Sequence, residues 1–133
     1  MAKIESEVRE VNKPAEKLFA FLSNFDNFKS LMPPQIVNWK SDGDSCSFTI
    51  QGMANIGMRI AEKKAPTEIK IVSDGKVPFD FTLDVFLTPV AEDKTEVQLK
   101  MKADVNPFMA VMVTGPLKNF LNILTEKMEE IPI

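Results

Sequence analysis

The chain contains no histidine and no tyrosine among its 133 residues. Histidine is the side chain whose charge changes most readily near neutral pH. Ser-His-Asp and Cys-His catalysis are therefore excluded, together with every histidine-bearing metal site. Cysteine occurs once, at Cys46. An internal disulfide or a thiolate zinc site needs more than one, and a lone thiol fits a reduced, cytoplasmic setting. Catalysis would fall to Asp, Glu, Lys, Arg, Ser or Thr, and no carboxylate pair has a spacing that demands acid–base work. No cofactor and no metal are expected. Long apolar runs are missing too: nothing approaches the roughly 20 residues that span a bilayer, so no membrane insertion is expected. Met1–Arg9 alternates charged and apolar residues, unlike a signal peptide. A basic excess is also lacking. Net charge is −3 and the isoelectric point about 5.0, which argues against a nucleic-acid partner and gives no pull toward anionic membranes.

What is present is ordinary for a folded chain: 44% apolar and 26% charged residues. The length suggests one domain over residues 1–133, large enough to bury roughly two thirds of its unfolded surface.

Periodicity sets the expected elements. Ala2–Val11 reads as a strand with Ile4, Ser6 and Val8 on one face. Asn12 and Pro14 read as a cap and first-turn proline of a short helix whose stripe is Leu18, Phe19 and Leu22. Asn24 and Asp26 open a second short helix through Phe28 and Leu31, stopped by Pro33-Pro34. The period then changes from 3.6 to 2. Strands are expected over 35–40, 45–51, 55–64, 68–73, 79–87 and 95–105, with Asp74-Gly75 as a hairpin signal. The last two alternate almost without a break. Phe79, Phe81, Leu83, Val85 and Leu87 face one way in the first; Val97, Leu99, Met101, Ala103 and Val105 do so in the second. Asn106-Pro107 caps and starts a long helix, or two in line, that carries Phe108, Met109, Met112, Phe120, Leu121, Leu124 and Met128 near one face. Gly115-Pro116 inside it should kink or break it. The expected architecture is α+β: a seven-stranded curved antiparallel sheet in the order β-αα-β6-α, wrapped around a long C-terminal helix.

This order, with Val11-Asn12-Lys13-Pro14-Ala15-Glu16-Lys17-Leu18-Phe19, the stretch Asn24–Pro33 and the C-terminal helix, resembles the START-related SRPBCC superfamily and its helix-grip fold. The resemblance spans essentially the whole chain and is topological rather than a catalytic signature. It implies a site for lipids, sterols, polyketides or other apolar molecules between sheet and helix. The family also includes cyclases and co-chaperones. The catalytic residues of the cyclase branch have no matching motif here.

The candidate ligand-binding residues are the large apolar ones of the expected inner face: Phe48, Met58, Phe79, Phe81, Leu83, Leu99, Met101, Phe108, Met112, Phe120 and Leu124. The same residues would equally make a plain packed core. Cavity energetics bear on the choice. At roughly 24 cal/mol per Å³, a dry void of about 500 Å³ extrapolates to about 12 kcal/mol, comparable to the whole stability of a domain. A large empty cavity is therefore not expected. Side chains, water or a ligand fill it.

Candidate polar groups are few: Ser6, Ser45, Ser47, Arg59, Glu62 and Glu10, with Arg59 outward by phase and both glutamates near strand ends. Thr114 could expose its hydroxyl near a pocket mouth if Gly115-Pro116 acts as a hinge. Cys46 shares the phase of Phe48, as a buried inert thiol would. Trp39 reads as a core or edge aromatic, or as a marker of a binding surface. Leu31–Pro34 and Val111–Val113 could form an exposed apolar patch, which suits a homodimer contact as well as a ligand gate. The leading expectation is non-catalytic binding of a small hydrophobic ligand, a lipid or aromatic compound. The rivals are a protein-interaction module with a filled core and, third, a cyclase-like enzyme.

Overall fold

The computed structural model describes residues 2–52, 54–75 and 77–132. In chain order the elements are β1 (Ala2–Glu5), β2 (Arg9–Val11), α1 (Ala15–Leu22), a 3-10 helix (Phe25–Leu31), β3 (Ile36–Asp42), β4 (Ser45–Ile50), β5 (Ala54–Lys64), β6 (Glu68–Ser73), β7 (Phe81–Ala91), β8 (Lys94–Ala103), α2 (Pro107–Lys127) and a 3-10 turn (Met128–Glu130). All strand pairs are antiparallel, in the order β1-β8-β7-β6-β5-β4-β3, with β2 also on β8. Because β1 and β2 share one neighbour, the eight strands occupy seven positions.

The split of the first strand differs from the sequence expectation and has a local cause. Ser6 is buried and hydrogen-bonds Leu99 twice: its N–H donates to the Leu99 carbonyl at 2.9 Å, and its Oγ accepts from the Leu99 N–H at 2.9 Å. The next N–H, of Glu7, turns to the Asn122 side chain on α2 at 2.8 Å. Pairing resumes at Arg9, and Val8, expected on the face of Ile4, is exposed.

The alternation of β7 and β8 is realised as read. Leu83 opposes Met101 and Val85 opposes Leu99 on the buried face, while Asp84 opposes Lys100 and Thr82 opposes Lys102 on the wet one. Phe79 precedes β7 rather than lying in it, yet it is buried. The Asp74-Gly75 signal marks the start of a longer connection, Asp74 to Asp80, rather than a tight hairpin. Its first residue is pinned by the Asp74 N–H donating to the Gly57 carbonyl at 2.9 Å. A Cβ on Gly57 would collide with the Asp74 carbonyl, so glycine is needed there for close backbone approach.

Capping follows the sequence at two of three places. Asn24 accepts from the Asp26 N–H at 2.9 Å, and Asn106 accepts from the Met109 N–H at 2.8 Å. Asn12 does not cap α1. Pro14 precedes Ala15, and Asn12 instead binds Glu129 through its backbone N–H and its side chain, at 3.0 and 3.2 Å. The segment leading into α1 is thereby anchored to the 3-10 turn at Met128–Glu130. The long helix runs unbroken through Pro116. Its buried face, Val113, Leu117, Phe120, Leu121, Leu124 and Thr125, keeps helical spacing and packs toward β1, β8 and the first 3-10 helix.

Candidate functional site

Between the sheet and α2 the core is almost full. The remaining void measures about 20 Å³, room for about one water molecule. It is lined by Phe48, Ile50, Ile56, Met58, Phe79, Phe81, Leu83, Met101, Leu117 and Phe120, all apolar. A site of that polarity offers water no partner, so the void is dry.

Seven of the sequence candidates meet there: Phe48, Met58, Phe79, Phe81, Leu83, Met101 and Phe120. Leu99 and Leu124 are buried in the surrounding core without lining the void. The remaining two lie outside the buried core. Phe108 is 75% exposed and Met112 60% exposed. At 3.6 residues per turn Phe108 and Met112 lie about 120° and about 80° round α2 from Phe120, whereas Met109 and Val113, on the same turns, lie within about 20° of it and pack against the core. Three lining residues were not among the candidates: Ile50, Ile56 and Leu117. Their signals were readable, since Ile50 and Ile56 share strand phase with Phe48 and Met58, and Leu117 precedes Phe120 by three residues.

A second space opens next to the void. A groove of about 430 Å³ runs between the N-terminal half of α2 and the β4 end of the sheet. Its apolar lining is Ile50, Met109, Met112, Val113, Pro116, Leu117 and Phe120; its polar side chains are Gln35, Gln51 and Asn119, with Gly52 beside them. Ile50, Leu117 and Phe120 border both spaces and form the partition between groove and void. A larger concavity, about 520 Å³, lies on the polar side of β3–β5. It is shallow, and its Asn38, Thr49 and Asn55 side chains are hydrogen-bonded to one another at 3.3 and 2.7 Å, a wet sheet surface rather than an apolar pocket.

The other candidates resolve individually. Trp39 is half-buried and stacks on Phe48 with ring centroids 5.3 Å apart, so it backs a residue of the void. Its indole N–H is buried without a hydrogen-bond partner. Arg59 is exposed, as its phase required. Glu10 and Glu62 pair on the surface with Lys94 at 3.7 Å and Lys64 at 3.9 Å. Ser45 and Ser47 face the outer concavities, and Ser6 is committed to the β1–β2 break. The Thr114 hydroxyl donates back to the Ala110 carbonyl and lines neither space. In the loop Leu31 and Pro33 are buried and only Pro34 is exposed, and Val113 is buried, so the large exposed apolar side chains of the expected patch lie on α2, where Val111 is 84% exposed beside Phe108 and Met112. Burial pushes the Cys46 thiol up to about 12 from 9.0, against a smaller opposing effect of a backbone hydrogen bond to Met58. Such a thiol is no nucleophile at neutral pH. Among the described residues no cluster of three His, Cys, Asp or Glu side chains could hold a metal ion, and no helix is long and apolar enough to cross a membrane.

The fold is the helix-grip fold, shared with solved structures across nearly the whole chain. A START superfamily protein from Mycobacterium smegmatis superposes with a TM-score of 0.77 at 16% identity, covering 96% of this chain and 94% of that one. Norcoclaurine synthase from Thalictrum flavum, in complex with dopamine and hydroxybenzaldehyde, gives 0.74 at 14% identity, covering 97% and 84%. A conserved protein from Geobacillus kaustophilus gives 0.71 at 17%, covering 96% and 92%. No protein-family model matches the sequence, and no curated protein does. The likeness therefore lies in the fold.

Proposed function

We propose that this chain, as one domain, binds a small apolar molecule without transforming it, and that the ligand sits in the groove beside α2. The observation that carries the reading is the groove itself. Its volume of about 430 Å³ falls in the range of roughly 300–1,000 Å³ that holds small ligands, whereas the interior void of about 20 Å³ holds none. The partition of Ile50, Leu117 and Phe120 makes the two continuous if those side chains move. Norcoclaurine synthase holds two small aromatic molecules on the same fold, which supports an aromatic or lipid-like ligand here. Affinity comes from apolar burial at about 25 cal/mol per Å². The non-catalytic reading is supported by the absence of histidine and tyrosine and by a groove whose described lining has no carboxylate.

Native mass spectrometry of the purified chain tests this, with thermal shift against a panel of apolar probes. A bound small-molecule mass, or a rise in Tm with a probe, is expected. No adduct and no shift from any probe would remove the reading.

One observation favours a second reading. Phe108, Val111 and Met112 are large apolar side chains left in solvent on one helix, and such patches commonly mark interaction sites. A protein partner or a second copy of the chain would cover them. Concentration-dependent sedimentation that is abolished by Val111→Asp would support the dimer.

A further inference from the structure

We infer that the groove selects an uncharged ligand whose polar end is a hydroxyl or carbonyl, and rejects the matching carboxylate; this rests on the groove reading above. Two observations carry it. Among the described residues lining the groove none is charged. The helical wall runs from Met109 to Phe120; its single charged residue, Lys118, does not line the groove, and no Asp, Glu, Lys or Arg occurs from Val105 to Leu117. The polar rim is made of amides alone: Gln35, Gln51 and Asn119. None of the hydrogen bonds among the described residues uses these three side chains.

An amide side chain donates and accepts, so it can satisfy a hydroxyl or a carbonyl in either sense. It cannot neutralise a carboxylate or phosphate. An anionic head drawn against this wall would lose hydration without meeting a cation, and that loss is far larger for a charge than for a neutral polar group. The body of the ligand, by contrast, finds only Met, Val, Pro, Leu, Ile and Phe side chains.

The experiment compares two probes of nearly one shape at pH 7 by calorimetric titration into the full chain: 1-naphthalenemethanol and 1-naphthoate. The alcohol is expected to bind at least tenfold more tightly. Equal or tighter binding of the carboxylate overturns the inference while leaving the groove as a binding site. If neither binds the folded chain, the groove reading fails and the inference with it. A second variant tests the rim. Asn119 is exposed, so Asn119→Lys keeps the fold and places a cation at the groove. It should shift the ratio of naphthoate to alcohol affinity at least tenfold toward naphthoate. An unchanged ratio would show that the rim does not meet the polar end, and would also overturn the inference.

Discussion

Replacing Phe120 by alanine tests the partition between groove and void. Phe120 is 8% exposed, faces Phe48 with ring centroids 6.4 Å apart, and borders both spaces. Core Phe→Ala changes cost about 3–5 kcal/mol, the spread reflecting how well the hole collapses or refills. Here the hole would merge with the void and open to the groove, so solvent can enter it, and the cost should fall at the low end, about 3 kcal/mol. For a chain of this size that lowers Tm by roughly 10 °C. Urea unfolding followed by Trp39 emission reads it, because the chain has a single tryptophan and no tyrosine. The distinguishing result is rescue. An engineered apolar hole of about 150 Å³ takes up benzene, and a ligand at a hundred times its Kd returns about 2.7 kcal/mol. Benzene should therefore restore most of the Phe120→Ala loss. It should do nothing for Phe86→Ala, whose ring lies on the outer face under Lys100. A cost below about 1 kcal/mol would mean that Phe120 is no packed partition. A full cost without rescue would mean that the hole stays closed to the groove, and the continuity of groove and interior would be refuted.

Three further outcomes follow from local structure. Ser6→Ala leaves the buried Leu99 N–H without its side-chain acceptor; it should cost about 1–3 kcal/mol in urea unfolding, against near zero for the exposed Ser30→Ala. Gly57→Ala forces β5 away from the Asp74 carbonyl and should cost about 1–3 kcal/mol, with hydrogen exchange loosened at β5 and β6 first. Cys46 should resist alkylation at pH 8 until the chain unfolds. Since its folded value lies above its unfolded one, its contribution is intact below about pH 9.0 and is lost as pH rises toward about 12. Cys46→Ala should flatten that part of the stability profile.

Strand phase carried most of the architecture. In β7 and β8 the alternation is long enough that only one register buries Leu83, Val85, Leu99 and Met101 together. Ile4 and Ser6 share that phase, but what ends β1 is a hydroxyl bonding a residue 93 positions away, and no local pattern encodes such a partner. The same holds for Asn12, whose capping chemistry is diverted to Glu129. Proline at 116 was read by its local cost alone; the flanking packing of Val113, Leu117 and Phe120 holds the helix together across it. At the site, phase located the void's wall but not its volume, because fullness depends on how side chains from four strands, the connection before β7 and a helix interlock. The groove was less legible still. Helical phase puts Met109 and Val113, rather than Phe108 and Met112, in line with Phe120, and the opposite wall comes from Gln35, Ile50 and Gln51, which no helical pattern indicates.

The most direct test of apolar binding beside α2 is methyl NMR of the wild-type chain titrated with 1-naphthalenemethanol. Saturable shifts are predicted at Ile50, Met109, Met112, Val113 and Leu117, with Val90 on the far end of β7 unmoved. Shifts absent at those methyls, or no larger there than at Val90, would contradict the account.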